Sequence, residues 1–217
     1  MRRVKHLLRP IAHSLVSFAL HQQDRLTPDA VLAKYRQGYF PMAGRLGIVQ
    51  WYAPETRAIL PLDSRFHVPT NVRRLIRRSH FTVSFNRAFR NVIAECAALR
   101  PKRESTWLSA DLIAVYTKLH DLGFAHSVEV WNGANLVGGG YGISIGGFFS
   151  GESLFYREDQ ASKIGLVYLV EHLRERGFVL SDAQMPSNLT RQFGVIEIPH
   201  TEYHTLLTAA LEMDVRF

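Results

Sequence analysis

The fold is decided by the stretch SVEVWNGANLVGG, residues 127–139, in the middle of the chain. Its two halves have the apolar, β-branched character of strands, and Asn132-Gly133 between them favours the left-handed backbone of a tight turn. The stretch therefore predicts an antiparallel hairpin with strands over 127–131 and 136–139. A further strand predicted over 146–155 extends the same β-rich centre.

The segments on either side of this centre predict an alternation of helices and strands. Thr27-Pro28-Asp29 starts a helix with a hydroxyl cap, a proline at the first helical position and an acid in the first turn. Gly38 ends this helix, and residues 39–42 predict an aromatic, non-helical turn. The other predicted elements are a strand at 58–62, a basic helix at 71–79, a strand at 81–85, a helix capped by Asn86 and reaching Ala97, a helix at 109–123, a helix at 161–176, a strand at 178–183 and a helix at 201–213. This order indicates an α+β fold with a central mixed β-sheet.

Composition excludes several classes of protein. The 217 residues are 47% hydrophobic and 21% charged, which is typical of globular domains. Cys96 is the only cysteine in the sequence, so an intramolecular disulfide and a zinc site built from several thiolates are excluded. Cys96 also lies on the apolar stripe of its predicted helix, which indicates packing rather than nucleophilic chemistry. A disordered chain, a disulfide scaffold and a multi-span membrane protein do not fit this composition.

Positive charge is in excess and is clustered. The chain has 26 basic and 19 acidic residues, a net charge of +7. The clusters are Arg2, Arg3, Lys5 and Arg9; then Arg73, Arg74, Arg77 and Arg78, which share one face of the predicted basic helix; and then Arg100, Lys102 and Arg103. Concentrated positive charge predicts a polyanionic partner, of which nucleic acid is the commonest. A basic surface that only aids solubility is the alternative.

The beginning of the chain has a pattern that is open to two interpretations. Residues 15–20 are apolar and follow a basic start, as in a signal peptide. Arg9, Pro10 and His13 interrupt the apolar region, which is also far shorter than a membrane span. The other interpretation is a basic amphipathic helix that lies on the fold or on an anionic surface. We expect a basic N-terminal extension over 1–25 in a cytoplasmic protein without stable membrane insertion.

Three polar residues stand in otherwise apolar strands of the second half. Asp182 and Gln184 are two residues apart, so the strand period places both side chains on one face of the sheet. Glu152 lies among aromatic residues in the strand at 146–155. An unsatisfied buried polar group costs about 1–3 kcal/mol, so these three side chains need partners. The alternative is that the strand ends simply meet water.

Other chemical signals are less specific. Lys163 lies in the first turn of its helix, where the dipole disfavours a cation, so it contacts an anion, an acidic side chain or solvent. His200 and His204 have helical spacing, but no acid or third ligand completes a metalloprotease pattern, and we expect no metal site. The glycines at 138–142 join strand to strand and predict close backbone approach rather than a phosphate loop. Trp107 is either a buried anchor or an exposed stacking platform.

A series of short motifs follows in a fixed order along most of the chain. They are YxxGYFP at 35–41, TW at 106–107, LHxxGxAHSVEVW at 119–131, LVGGxYG at 136–142, FxGESxF at 149–155, ASK at 161–163, DxQ at 182–184 and GxxEIP at 194–199. Together they resemble the leucyl/phenylalanyl-tRNA–protein transferase family. Each motif is weak alone, but their number and order make the resemblance specific.

The resemblance implies a fold and an activity. The implied fold is a small N-terminal α/β lobe over 26–65 joined to a GNAT-like domain over 66–217, similar to the acetyl-CoA-dependent N-acetyltransferases. The implied reaction moves Leu or Phe, and possibly Met, from aminoacyl-tRNA to the N-terminal Lys or Arg of a protein, which marks that protein for degradation. No cofactor is implied, and we expect a monomer.

The resemblance also implies binding residues. The arginines of the basic helix meet the tRNA acceptor stem, and Arg77 and Arg78 match the family's basic pair best. The implied substrate-binding positions are Met42, Trp107, Gly140, Phe149, Ser153 and Leu154. Met42 stands where the family usually has tryptophan, and Gly140 replaces a bulkier pocket residue, so the selectivity for the donor side chain is in question. Tyr156 and Gln160 replace the family's usual serine and asparagine.

The chemistry assigns roles to the three polar strand residues. An aminoacyl ester is already activated, so the enzyme has mainly to hold an amine against it. A neutral amide hardly accepts a proton, so Gln184 is expected to orient the attacking amine. Asp182 is expected to fix the Gln184 amide and to favour the positive charge that develops on nitrogen. Glu152 is expected to pair with an ammonium, on either the ester or the acceptor.

Two rival functions predict different features. An acetyl-CoA-dependent N-acetyltransferase needs a glycine-containing pyrophosphate loop that opens a helix. The segment 191–196 has a single glycine and does not match such a loop. A non-catalytic RNA-binding module keeps the arginines but does not need Asp182, Gln184 and Glu152 together, and its RNA binding is indifferent to aminoacylation.

Overall fold

A large mixed sheet with helices on both faces organises the chain. The computed structural model describes residues 26–43, 48–78, 81–99 and 106–217. The elements are α1 (Pro28–Arg36), β1 (Phe40–Ala43), β2 (Val49–Tyr52), β3 (Thr56–Leu60), α2 (Thr70–Arg78), β4 (Thr82–Phe85), α3 (Phe89–Ala97), α4 (Ala110–Asp121), β5 (Ala125–Asn132), β6 (Asn135–Ile145), β7 (Phe148–Tyr156), α5 (Ala161–Arg176), β8 (Leu180–Gln184), α6 (Asn188–Arg191), β9 (Ile196–Pro199) and α7 (His200–Leu211). The predicted central mixed sheet is confirmed.

Seven strands form the large sheet in the order β4-β5-β6-β7-β8-β3-β9, and β1 pairs with β2 in a separate two-stranded sheet. The pairing of β7 with β8 is parallel, whereas the other strand pairs of the large sheet are antiparallel. β3 comes early in the sequence but lies between β8 and β9, which come late. A strand from the first part of the chain, β3, is therefore part of the sheet that the later strands form.

The predicted hairpin is confirmed as β5 and β6. Gly133, in the turn between them, has a φ of 60°, the left-handed value that an Asn-Gly turn supplies without a steric penalty. The two strands pair from Ala125 opposite Ile143 to Asn132 opposite Asn135. They are buried over most of their length because helices cover both faces.

The apolar core is divided by the sheet. Phe148 packs in the largest cluster, together with residues of α1, α3, α4 and α7, whereas its neighbour Phe149 packs in a cluster with Leu169 and Leu173 of α5. Successive side chains of a strand point to opposite faces, so α5 lies on the face opposite α1, α4 and α7. Val72 of α2 also packs with α5 residues.

Capping signals located the helix boundaries well. Thr27 caps α1, where its Oγ1 accepts a hydrogen bond from the Ala30 amide at 3.3 Å. Ser109 caps α4 in the same way, with the Leu112 amide 3.3 Å away. α5 spans 161–176 as predicted, and the left-handed Gly177 ends it. These helix predictions are confirmed because each rests on local chemistry.

Other local predictions are wrong. The segment predicted as a turn at 39–42 is mostly strand β1, in which Pro41 lies opposite Trp51. The short elements β2, α6 and β9, of four residues each, were not predicted. Asn86 does not cap α3: its φ is 57°, and its Oδ1 accepts from the Ser127 amide at 3.1 Å. The Glu129 carboxylate accepts from the Ala88 amide at the start of α3 instead.

Several predictions fall outside the described residues. They concern the extension at 1–25, the third basic cluster of Arg100, Lys102 and Arg103, and the end of the basic helix at Ser79. In the part of the chain that the structure describes, no helix is long and apolar enough to cross a membrane. The same residues contain no group of three or more His, Cys, Asp or Glu side chains placed to hold a metal ion.

Candidate active site

The large sheet opens between β7 and β8. The two strands pair in parallel from Phe148 opposite Leu180 to Ser150 opposite Asp182. Beyond that point β8 ends at Gln184, whereas β7 continues to Tyr156 along β6. Among the described residues, no strand pairs with β7 on this side past Ser150. The opening ends the pairing between the two strands inside the sheet, and the polar strand residues lie at its start.

Glu152 occupies a β-bulge at this opening. On β6, Tyr141 lies opposite Ser153 and the next residue, Gly142, lies opposite Gly151, so Glu152 is the extra residue of β7. A bulge interrupts the ladder and redirects a side chain, and bulges are frequent next to active sites. The bulge brings the Glu152 carboxylate beside Ser150, whose Oγ donates to Oε1 at 2.9 Å.

Gln184 and Glu152 are brought together across the opening. Gln184 Nε2 donates to Glu152 Oε1 at 3.1 Å and lies 3.4 Å from Ser150 Oγ. Gln184 has a φ of 62°, a left-handed conformation that is uncommon outside glycine. Residues held in such conformations cluster at functional sites, because the surrounding structure must impose them. Gln184 is thus aimed at Glu152 by its backbone as well as by hydrogen bonds.

Glu152 is buried in a hydrogen-bonded group of hydroxyls. Tyr116 Oη donates to Glu152 Oε2 at 3.3 Å, and the Tyr116 and Tyr35 hydroxyl oxygens are 2.6 Å apart. Burial raises the pKa of the Glu152 carboxyl to about 7, although hydrogen bonds from Tyr35, Ser150 and Gln184 act in the opposite direction. Glu152 therefore exchanges between neutral and ionised forms near neutral pH, which suits a group that meets an ammonium.

Asp182 is the centre of a second buried group. Its carboxylate accepts from Arg57 through Nε at 2.9 Å to Oδ1 and Nη2 at 2.5 Å to Oδ2. Tyr203 Oη donates to Oδ2 at 2.9 Å, and the main-chain amide of Gln184 donates to Oδ1 at 2.7 Å. Asp182 and Arg57 are both almost fully buried.

This geometry differs from the role expected of Asp182. The carboxylate holds the main-chain N–H of Gln184, whereas the side-chain amide of Gln184 goes to Glu152. The charge of Asp182 is already paired with that of Arg57, so Asp182 is not a free counter-charge for a developing ammonium. Its action on Gln184 is through the backbone.

The expected substrate-binding residues fall into two groups. Met42 and Trp107 are half-buried against the core cluster that contains Tyr35 and Tyr116, on the Glu152 side of the sheet. Ser153 is half-buried opposite Tyr141. These three residues surround the same face as the buried hydroxyls.

The other three expected pocket positions, Phe149, Gly140 and Leu154, lie elsewhere or are filled. Phe149 is fully buried on the α5 face, in the cluster with Leu173 and Phe178, so the structure does not bring it to the Glu152 group. Leu154 Cδ2 lies 2.3 Å from the position that a Cβ on Gly140 would occupy. The space left by the glycine is therefore taken by Leu154, and an open pocket does not follow from Gly140 alone.

The structure also shows where the basic helix, Lys163 and the pair of His200 and His204 lie. Val72 of α2 is buried and anchors the helix. The arginines of α2 are exposed; they are Arg73, Arg74, Arg77 and Arg78. Lys163 donates to Gln192 Oε1 at 2.9 Å. The His200 and His204 rings are 6.0 Å apart between centroids on α7.

Sequence reasoning missed Arg57, Tyr203 and Ser150 as parts of the site. Arg57 had a usable signal, because it is a charged residue directly before the apolar run at 58–62. Tyr203 had none, since an aromatic residue on an amphipathic helix predicts packing alone. All three side chains are fully buried, which only the tertiary structure shows.

The fold is similar to that of a solved structure with low sequence identity. The crystal structure of FemX aligns with a TM-score of 0.53 at 12% sequence identity, covering 82% of this chain and 70% of that chain. At this identity the likeness shows the fold alone.

The chain belongs to the leucyl/phenylalanyl-tRNA protein transferase family. The family model described as "Leucyl/phenylalanyl-tRNA protein transferase" matches residues 59–208, and that of its N-terminal domain matches 24–55. A relative named leucyl/phenylalanyl-tRNA–protein transferase from Salinibacter ruber is 47% identical, over 88% of this chain and 82% of its own. A relative of the same name from a Synechococcus strain is 48% identical, over 87% and 96%.

Proposed function

We propose that this protein is an aminoacyltransferase that moves an amino acid from aminoacyl-tRNA to the N-terminal amine of a protein. Membership of the transferase family supports the reaction class. The structural observation that carries the proposal is the contact between Gln184 and Glu152 at the opening between β7 and β8. An amide and a carboxylate at an opening of the sheet suit the recognition of amines and ammonium groups.

The reaction needs positioning more than activation. The nitrogen of the acceptor amine attacks the carbonyl carbon of the aminoacyl ester, an amide bond forms and the bond to the ribose oxygen breaks. The amine loses a proton and the ribose oxygen gains one, so no oxidant or further reactant is required. Holding two reactants at the correct distance supplies much of the rate enhancement in such a step.

Gln184 orients the attacking amine in this proposal. Its Nε2 is committed to Glu152, which leaves its carbonyl oxygen as the acceptor for an N–H of the substrate. Glu152, with a pKa of about 7, pairs with the ammonium of the ester or of the acceptor. Asp182 acts through its hydrogen bond to the Gln184 main chain.

The nucleic acid is bound by the exposed arginines of α2. Arginine contacts to phosphates give affinity without reading sequence, which suits an enzyme that takes its amino acid from a tRNA acceptor stem. Arg77 and Arg78 lie in the last turn, where the negative end of the helix dipole favours cations. Trp107 is the stacking candidate for the terminal adenosine, and Met42 lines the same side.

The proposal also covers the two substrates, the location of the enzyme and its division into domains. The donor is Leu or Phe, the acceptor has an N-terminal Lys or Arg, and the product is directed to degradation. The enzyme acts in the cytoplasm as a monomer, with 26–65 as a small N-terminal α/β lobe and 66–217 as a GNAT-like catalytic domain. In this division β3 is the strand that the lobe contributes to the large sheet.

A transfer assay tests the proposal. Radiolabelled Leu, Phe and Met are offered on charged tRNA to a reporter protein with N-terminal Lys or Arg. We expect label on the α-amine of the reporter, and a fall of about 10²-fold in kcat for Gln184→Ala, because the amine is no longer held. Gln192→Ala removes an exposed glutamine that contacts Lys163 and serves as the matched control.

The outcomes separate the rival functions. Transfer by the wild type and the control but not by Gln184→Ala supports the assignment. Tight tRNA binding that ignores aminoacylation, with no transfer from any donor, identifies an RNA-binding module instead. Acetylation of the reporter from acetyl-CoA identifies an N-acetyltransferase.

A further inference from the structure

Arg57 is a fully buried arginine for which the proposed reaction has no direct use. Its guanidinium lies between the rings of Phe40 and Tyr203, 4.6 Å from each centroid. It donates to both oxygens of Asp182 and, through Nη1, to the carbonyl of Gly38 at 2.9 Å. Burying a charged guanidinium is costly unless it is paired and hydrogen-bonded, and here every side of the group is occupied.

The partner of Arg57 is the residue that holds Gln184. Asp182 Oδ1 accepts from Arg57 and from the Gln184 amide, and Oδ2 accepts from Arg57 and Tyr203. Burial works against the charged form of Arg57, but the Asp182 carboxylate outweighs it and raises the pKa of the guanidinium. Without Arg57 the carboxylate of Asp182 is a buried charge without its counter-charge, and it turns away from the Gln184 amide.

The left-handed backbone of Gln184 depends on this chain of contacts. A φ of 62° is costly for a glutamine, and the hydrogen bond of 2.7 Å to Asp182 Oδ1 holds it there. If the bond is lost, the residue returns to an extended conformation and its amide leaves Glu152. Gly38, at a φ of 81°, ends the turn after α1, so Arg57 fixes that turn as well.

We propose that Arg57 is a positioning residue for the transfer reaction, which fixes Asp182 and through it the backbone and amide of Gln184. This inference rests on the proposed function, because the group positioned is the one assigned to hold the amine. Arg57 touches no substrate and moves no proton. Its effect falls on the rate of the chemical step rather than on tRNA binding, for which the α2 arginines are left intact.

Arg57→Ala with chemical rescue tests the proposal. We expect kcat for transfer to fall about 10²-fold, as for a reactant misplaced by about 1 Å, with little change in KM for aminoacyl-tRNA. The deleted side chain leaves a cavity between two rings that fits a guanidinium ion. Millimolar guanidinium is expected to restore kcat, while urea, which has a similar shape and no charge, is not.

A matched control separates positioning from stability. Arg174 also lies over an aromatic ring, 5.3 Å from the Phe66 centroid, and donates to the main-chain carbonyls of Leu62 and Asp63. Arg174→Ala therefore removes a comparable structural arginine away from Asp182, and we expect it to keep kcat. Tyr203→Phe keeps the ring beside Arg57 but loses one hydrogen bond to Asp182, and we expect a smaller fall in kcat.

The main-chain amide of Gln184 gives a readout that does not depend on activity. Its proton resonance in an NMR spectrum is expected to move in Arg57→Ala and to return with guanidinium. An unchanged kcat and resonance in folded Arg57→Ala overturns the inference, and so does equal rescue by urea. If the wild type transfers no amino acid, the proposed function itself has failed.

Discussion

Glu152 shows how much one residue depends on its position in the sheet. As the extra residue of a bulge it leaves the ladder, turns towards Ser150 and Tyr116, and is almost completely buried. Burial makes its ionised form unfavourable, while its partners are hydroxyls and an amide rather than a cation. The result is a carboxyl whose pKa is about 7.

Replacing this carboxyl has a pH-dependent effect on stability. Because the pKa of about 7 in the folded state lies above the unfolded value of about 4.3, Glu152 does not weaken the fold below pH 4.3. The free energy of unfolding then falls by about 4 kcal/mol as the pH rises from 4.3 to 7, and about 3 kcal/mol of this loss lies above pH 5. Urea unfolding at pH 5 and pH 8 is expected to show this loss in the wild type relative to Glu152→Gln.

The comparison between wild type and variant isolates Glu152 from other titrating groups. Burial lowers the pKa of His126 to about 4, so His126 weakens the fold in the opposite direction, as the pH falls. Both proteins contain His126, and its contribution is removed when their unfolding free energies are subtracted. A difference between the two proteins that stays constant from pH 5 to pH 8 contradicts the burial of an ionising carboxyl.

Sequence reasoning reached some of these residues and not others for a physical reason. Asp182, Gln184 and Glu152 stand out because polar residues in apolar strands need partners, whichever fold they join. Their partners do not stand out: Arg57 is 125 residues from Asp182, and the pairing depends on β3 entering the sheet beside β8. Gln184 was expected on the face shared with Asp182, but its left-handed backbone is imposed by that tertiary contact.

At the scale of elements, α2 has one apolar face that packs against the fold and one basic face that is exposed. Val72 and Ile76 pack against α5 residues, whereas the arginines point away from the core. The apolar stripe packs the helix against the fold, Arg73 also donates to the Val68 carbonyl at 3.2 Å, and the exposed basic face is available to a ligand. The length of the predicted helix, 71–79, agrees with Thr70–Arg78 over the described residues because such a stripe has a clear period.

Substitution of the last two arginines tests this face. In Arg77→Ala/Arg78→Ala we expect weaker tRNA binding and a reduction of about 1–2 in the slope of log affinity against log salt, since each phosphate contact contributes about 0.9. The fold is expected to persist, because both side chains are exposed. Filter binding from low to high salt measures both quantities.

A control for that test removes the same charge elsewhere. Arg90 is exposed on α3 and paired with Asp121, and Arg216 is exposed near Asp214. Arg90→Ala/Arg216→Ala lowers the net charge equally. If the control weakens tRNA binding as much as the α2 variant does, general charge rather than the basic helix is responsible.

At the scale of the whole molecule, β3 ties the first part of the chain to the last. It lies between β8 and β9, and its Arg57 also bonds the carbonyl of Gly38 after α1. Tyr35 of α1 lies in the same buried hydroxyl group as Tyr116 of α4. Helix α1 and the turn that leads from it into β1 are therefore connected to the rest of the fold by buried polar contacts as well as by the chain.

This arrangement predicts one cooperative unfolding transition. Trp51 reports on the two-stranded sheet and Trp131 on β5, so variants that keep only one of the three tryptophans give separate fluorescence signals. We expect the same urea midpoint from both, because unfolding either sheet exposes the charges of Arg57 and Asp182. A lower midpoint for Trp51 contradicts the prediction and identifies an independently unfolding unit.

The place of β3 in the sheet also determines how late in synthesis the enzyme can become active. Arg57 is translated 125 residues before Asp182, which is roughly 6–25 s at about 5–20 residues per second. During that interval β3 has neither of its sheet neighbours, and the loop-closing contacts that orient Gln184 do not exist. A nascent chain released before β8 lacks both Asp182 and Gln184, so we expect a ribosome that stalls there to yield no active transferase.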